Sequence, residues 1–349
     1  MKKSTTLVKL ALCTVLSAAL LGGCGNSAKT ETTTAAAETT GETSEKAEAA
    51  DGTYTIGITQ IAEHGSLDNC REGFLEGLAS EGFVEGKNLT VDYQNAQGDT
   101  ANASMIAQNF VSKKYDLVCA VATPSAMACF NAAQGTEIPT IFTAVSDPVA
   151  AELVASLEAP GSNCTGTSDA LPVEDQLKMI RAMMPDAKTI GIMYTTSEVN
   201  SITNLETYKE LAPKYDFEIV ESGVASSSDI PIALDSLVTK VDCISNLTDN
   251  NVVNNLDTVI AKATEAGIPV FGSEVEQVVN GCAASMGLDY TELGRQTGVM
   301  AAAVLNGEDA ATMPVQVISA SSLYVNSDVM SQFNLSVPDE YKDSYSEAE

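Results

Sequence analysis

Tryptophan is absent from this chain, and histidine occurs once, as His64. A single histidine all but removes the commonest metal ligand. No CxxC pair and no Cys/His spacing of a zinc site compensates for it. Basic residues are scarce: 18 Lys and Arg stand against 47 Asp and Glu, a net charge of −29. Such a surface repels the phosphates of nucleic acids and of anionic headgroups, which argues against both as partners for the body of the protein. The acidity does not by itself demand a cationic ligand, because most of it is solvated surface. A GxSxG elbow, a P-loop and an HExxH motif are all missing. So is a glycine-rich dinucleotide fingerprint after the first strand. No enzyme class is indicated and no cofactor is implied. His64, in a loop beside Glu63, has no positioned serine or cysteine near it and reads as structural or ligand-lining.

What is present fits a two-lobed α/β protein. A chain of 349 residues suits roughly two domains at ~100–200 residues each, and 44% hydrophobic content gives each a core. Of 8 cysteines, Cys13 and Cys24 lie in an N-terminal segment. The others are scattered and read as small buried hydrophobes, with a bridge or two left open.

Residues 1–24 form a targeting segment. Lys2, Lys3 and Lys9 precede an apolar stretch at 10–21 that is too short for a conventional spanning helix. It ends Leu21-Gly22-Gly23-Cys24, which resembles the lipobox of bacterial lipoproteins. That resemblance implies diacylglyceryl transfer to the Cys24 sulfur and a tether to the outer face of a membrane. Residues 25–52 are rich in Thr, Glu and Ala and are expected to be a disordered acidic tether.

One stretch organises the remainder. Residues 117–126 begin as a short apolar run and end in a helix-start signal, with Thr123 as N-cap and Pro124 at the first helical position. A buried parallel strand running into a helix N-terminus presents free N–H groups, where anions settle. The pattern is duplicated. Thr55-Ile56-Gly57-Ile58 returns as Thr189-Ile190-Gly191-Ile192, and Ile138-Pro139 through Phe142 returns as Ile268-Pro269 through Phe271. Residues 116–124 are echoed at 242–249. Three anchors in one order, offset by about 130 residues, indicate two similar lobes, since a solenoid repeat is far shorter.

Strands are expected at 54–60, 89–93, 117–121 and 138–145, with helices opening at Asp68 or Asn69, Asp99 and Thr123. A crossing at 161–169 leads to a second set of strands at 189–194, 217–221, 243–247, 270–273 and 284–287. A helix near 290–305 returns to the first lobe, and a strand at 314–319 and a closing segment at 324–335 follow. The expected fold class is α/β: two similar Rossmann-like lobes with parallel sheets and a hinge. Lobe one takes 53–166 with about 290–315. Lobe two takes 167–289 with about 316–340.

Open parallel sheets bind ligands beyond the C-terminal ends of their strands. The polar residues expected there are Thr59, Gln60, Thr123, Ser125, Thr143, Ser146, Asp147, Thr167, Ser168 and Asp169 from the first lobe and the crossing. From the second come Ser197, Asn200, Ser201, Thr248, Asp249, Asn250, Ser273 and Glu274. Hydroxyls, amides and carboxylates without Arg or Lys suit a small zwitterion. Many of the same residues are equally suited to capping helices.

These stretches carry a family resemblance. Ile56-Gly57-Ile58-Thr59-Gln60 with Glu63-His64, residues 92–99, Ala122-Thr123-Pro124-Ser125-Ala126, residues 143–149 and Gly166-Thr167-Ser168-Asp169 resemble the tryptophan/tyrosine-type substrate-binding lipoproteins of ABC transporters. Asp249-Asn250, Phe271-Gly272-Ser273-Glu274 and residues 288–294 continue the likeness, which spans about 53–340. It implies a type I periplasmic-binding-protein fold that clamps a small ligand and delivers it to a permease and its ATPase. Several members of the family bind aromatic amino acids. Gly65 follows His64 where the family often has proline, which loosens the first ligand loop.

Only 5% of the chain is aromatic, which favours an amino acid over a ring-stacked sugar. The expected arrangement puts the ligand carboxylate near Thr123 and Ser125, with Ser197, Asn200 and Ser201 across the cleft. Asp249 takes the ammonium, and the apolar wall comes from Tyr194, Phe142, Phe271 or methionines. The expected protein is a monomer without catalytic activity, held on the extracytoplasmic face by lipid on Cys24. The rival readings are a sensor ectodomain of the same fold, a nucleoside or sugar binder, and an enzyme on a two-lobed scaffold.

Overall fold

The computed structural model describes residues 52–318 and 322–348. The targeting segment, Cys24 and all but the last residue of the tether lie outside them.

The chain starts with β1 (Tyr54–Gln60), α1 (Gly65–Ser80), β2 (Leu89–Asn95), α2 (Thr100–Ser112), β3 (Leu117–Val121), α3 (Thr123–Ala133), β4 (Thr140–Thr143) and β5 (Cys164–Ser168). It continues with α4 (Val173–Met183), β6 (Thr189–Thr195), α5 (Val199–Leu211), β7 (Glu218–Val224), α6 (Ile230–Leu237) and β8 (Cys243–Ser245). Two short helices, α7 (Asn250–Val253) and α8 (Leu256–Glu265), lead to β9 (Val270–Phe271), α9 (Val275–Val279) and β10 (Ala284–Gly287). Then come α10 (Tyr290–Leu305), β11 (Gln316–Val317), β12 (Ser322–Val325), α11 (Ser327–Gln332) and β13 (Tyr345–Glu347).

The first sheet has the order β11-β5-β4-β3-β1-β2, and the second has β7-β6-β8-β9. The second order repeats β2-β1-β3-β4 of the first, which is the duplication read from sequence. Every pairing in these two sheets is parallel. A parallel sheet needs cover on both faces, and β3 shows how one strand supplies two cores. Leu117, Cys119 and Val121 pack with Ile56, Phe74 and Leu293, whereas Val118 and Ala120 pack with Phe110, Ala126 and Phe142.

Three expectations need correction. Strand β10 is not part of the second parallel sheet; it pairs antiparallel with β12 in a small sheet completed by β13. Strand β11, assigned above to the second lobe, adds to the edge of the first sheet beside Thr167 and Ser168. Helix α1 starts at Gly65 with His64 as its cap residue, so Asp68 falls in the first turn instead of capping.

Helix α10 returns to the first lobe as expected and lies unusually close to α1. Gly73 and Gly77 face Gly294 and Gly298, and a Cβ at any of the four would overlap backbone atoms of the opposite helix. Asp289 opens α10 by accepting the Thr291 and Glu292 N–H groups at 2.9 and 3.1 Å. The six cysteines within the described residues are all buried and unpaired. Burial pushes the Cys70 thiol up to about 12. No helix among the described residues is long and apolar enough to cross a membrane.

Candidate functional site

Residues that follow strand ends of both sheets line one cavity between them. His64, Ser66 and Leu67 come from the loop after β1 and the start of α1. Ala122 follows β3, Ala144 and Ser146 follow β4, and Asp169 follows β5. From the second lobe come Asn200 on α5, Thr248 and Asn250 after β8, Val253 on α7, and Glu274 and Gln277 after β9. Tyr290, the first residue of α10, completes the lining.

Five buried polar atoms without partners lie on residues of this lining. Both ring nitrogens of His64, Asp169 Oδ1, Asn200 Oδ1 and Thr248 Oγ1 are buried with no hydrogen-bond partner. Buried polar groups in native proteins are nearly always paired, so these atoms are the ones a bound polar group would satisfy. Burial lowers the His64 pKa to about 4, with the Asn250 side chain and the Asp68 charge opposing only in part. His64 is therefore a neutral imidazole at pH 7, one nitrogen a donor and the other an acceptor.

The acidic residues divide by role. Asp169 accepts from the Tyr290 hydroxyl through Oδ2, and burial raises its pKa against that hydrogen bond. Glu274 caps α9, accepting the Glu276 and Gln277 N–H groups at 2.7 and 3.0 Å. Burial pushes its carboxyl up to about 7, chiefly opposed by those N–H groups and Ser66. Behind the lining, Glu198 accepts from Asn200 Nδ2 at 3.1 Å and from Asn250 Nδ2 at 2.7 Å. Burial and the neighbouring Asp249 charge raise Glu198 to about 7.

Asp249 does not reach the cavity, which overturns its expected contact with an ammonium. It is fully buried, and its oxygens accept from Thr195 N at 2.6 Å, Thr195 Oγ1 at 2.8 Å, Ser201 Oγ at 2.7 Å and Val252 N at 2.9 Å. The group is an N-cap and a staple from α7 to β6 and α5, with no capacity left for a ligand. Ser201 is consumed by the same staple.

The other residues expected at the strand ends separate likewise. Asp169, Asn200, Asn250 and Glu274 line the cavity, together with Ser146 and Thr248. Gln60 is tied internally, donating to Ala62 O at 2.7 Å and Asp68 at 3.0 Å and accepting from Arg71 at 3.0 Å. Thr143 sits in a hydroxyl network with Cys70, Thr167 and Thr297. Asp147 caps the turn at Val149 and Ala150. Ser168 donates to the Ser146 carbonyl at 3.0 Å. Ser197 lies on a different cavity with Gly98, Pro124 and Ser226. Thr59, Thr123 and Ser125 are buried with unpartnered hydroxyls but are not in the lining, and α3 is preceded by Ala122, so Thr123 is its first residue and not its cap.

The expected aromatic wall is also elsewhere. Phe142 and Phe271 are wholly buried in the sheet cores, and Tyr194 packs against the second core. The apolar lining is Leu67, Ala122, Ala144, Val253 and the Tyr290 ring. Small aliphatic residues at strand ends look like ordinary core in the sequence, and the expected wall fell on large rings and methionines instead. Ala122 was within reach, as the residue between β3 and the α3 start signal.

The model of the ABC transporter substrate binding protein family matches residues 55–347. A tyrosine-binding protein of Clostridioides difficile is 38% identical over 335 residues, 96% of this chain and 94% of that protein. Among solved structures, an ABC domain from Streptococcus pneumoniae in complex with L-Trp aligns with TM-score 0.82 at 32% identity, covering 85% of this chain and 99% of that one. A ligand-free, open substrate-binding protein with adhesive properties from Clostridium difficile aligns with TM-score 0.64 at 43% identity, covering 85% and 100%.

Proposed function

Because the chain belongs to the ABC transporter substrate-binding protein family, with the type I periplasmic-binding-protein fold of such solute binders, we propose that it captures an aromatic amino acid in this cavity and delivers it to a permease. The observation that carries the reading is the cluster of unpartnered polar atoms in a cavity lined by both lobes. Asp169 Oδ1 and Asn200 Oδ1 are acceptors suited to an ammonium. The neutral His64 N–H and the Thr248 hydroxyl are donors suited to a carboxylate. No Arg or Lys lines the cavity, so the carboxylate would be held by neutral donors.

The ligands named for the relatives, tyrosine and L-Trp, support an aromatic amino acid. The fit supports a closed arrangement: the chain aligns better with the L-Trp complex than with the open form, although it is more identical to the latter. Binding would then draw an open–closed equilibrium toward a form in which both lobes touch the ligand. The side-chain bond from Asn69 on α1 to Glu276 on α9, at 2.6 Å, would form only on closure. In this reading the protein catalyses nothing, works as a monomer with its permease and ATPase, and is held at the extracytoplasmic face by lipid on Cys24.

A thermal-shift screen against amino acids, nucleosides and sugars tests the reading. A ligand at ~100 times its Kd adds about 2.7 kcal/mol of stability. A rise in Tm with Trp, Tyr or Phe supports it, and a rise with sugars or nucleosides alone contradicts the ligand class.

A further inference from the structure

Seven non-glycine residues among those described have positive φ: Gln97, Lys114, Ala122, Ala144, Glu152, Asp216 and Asn334. Five of them are exposed, where a turn can adopt such a conformation without consequence for packing. The two that are buried are the two alanines, and both line the cavity. They occupy equivalent places, each immediately after a central strand of the first sheet, β3 for Ala122 and β4 for Ala144. The two turns are joined, since Ala122 N donates to Thr143 O at 3.0 Å.

Ala122 is the more strained. Its φ of 76° with ψ of 156° falls in a region that is essentially reserved for glycine. Ala144 has φ of 55°, in the left-handed region that glycine also tolerates best. Elsewhere in the chain glycine takes this kind of conformation, as at Gly98 and Gly135. Glycine would relieve both sites, and all that alanine adds over it is a methyl group. Buried strain of this type persists where the surroundings impose it, and it gathers at ligand-holding positions.

We propose that the Ala122 and Ala144 methyl groups are specificity-determining contacts that set the shape of the cavity against the body of the ligand. The proposal rests on the reading that an aromatic amino acid occupies this cavity. Leu67, Ala122, Ala144, Val253 and the Tyr290 ring then face the ligand side chain, and the two alanines fix how deep it can go. Their removal enlarges the cavity on the side of the first sheet without touching the polar groups that hold the amino-acid end.

The test uses the full chain and the variants Ala122→Gly and Ala144→Gly, each measured by calorimetric titration with L-Trp, L-Tyr and L-Phe and by melting without ligand. The expected result is a ligand-free Tm that is unchanged or higher, because strain is relieved. Affinity for the best ligand of the unaltered protein should fall about fourfold per lost methyl contact, with the Trp:Phe affinity ratio moving toward the larger ring. A purely structural role would move Tm and affinity together. If the unaltered protein binds one of the three and both variants keep its affinities and their ratio, the specificity role is overturned while the ligand reading stands. If the unaltered protein binds none of them, the ligand reading fails and this proposal falls with it.

Discussion

The Tyr290 hydroxyl donates to Asp169 Oδ2, and the other oxygen of the same carboxylate is left without a partner inside the cavity. The bond joins the start of α10 to the end of β5 and orients one acceptor while occupying the other. Asp169→Asn should weaken amino-acid binding by about 1.5–3 kcal/mol, the worth of a charged hydrogen bond. Tyr290→Phe should cost about 1 kcal/mol, by loosening the carboxylate. Titration calorimetry on both variants measures this, and unchanged affinity for Asp169→Asn removes Asp169 from the ammonium site.

Asp249 should behave differently. Its four hydrogen bonds tie α7 to β6 and α5, so Asp249→Ala strands the Thr195 and Val252 N–H groups in a buried setting. A stability loss of about 3 kcal/mol is expected, read as a lower midpoint in urea unfolding. A variant that unfolds normally but no longer binds would return Asp249 to the ligand site.

The contact of α1 with α10 should be intolerant of any side chain. A Cβ at Gly294 would overlap the Cys70 carbonyl oxygen, and one at Gly77 would overlap that of Arg295. Gly294→Ala should destabilise by at least ~1–3 kcal/mol, the usual cost of overpacking, because the obstacle is backbone and cannot rotate away. Melting curves check it. A Tm equal to that of the unaltered protein would mean that the helices are farther apart than described.

Stability should rise as pH falls from about 7 toward 4.5. Burial raises the folded-state pKa of Glu274 from 4.5 to about 7, so its contribution is full below 4.5 and is lost as pH rises through about 7. Glu198 acts in the same direction. His64 opposes them: its pKa is lowered from 6.5 to about 4, so its contribution is full above 6.5 and lost as pH falls through about 4. Two carboxyls outweigh one imidazole across this window. Glu274→Gln should flatten the dependence of Tm on pH between 5 and 7.5, and a slope equal to that of the unaltered protein would show that Glu274 is ionised throughout.

The duplicated architecture was legible because parallel strands buried on both faces leave strong apolar runs, as at Leu117–Val121, and because Asp99 and Asp289 mark helix starts with side chains that do cap. The site was half legible. Asp169, Asn200, Asn250 and Glu274 were expected, and they line the cavity, because polar residues after strand ends are chemically conspicuous. Asp249 misled because an N-cap and a ligand acceptor demand the same side chain, and only the count of its partners separates them. Ala122 and Ala144 carry no chemical mark in the sequence; their importance lies in a backbone angle. Strand β11 was misassigned because two residues of edge strand have too little pattern to reveal which sheet they join.

The most direct test is calorimetric titration of the purified protein, freed of carried-over ligand by unfolding and refolding, with L-Trp, L-Tyr, L-Phe, L-Ala and a hexose. Saturable 1:1 binding of at least one aromatic amino acid is expected, with no heat from L-Ala or the hexose. Binding of the hexose with silence from all three aromatic amino acids would contradict it.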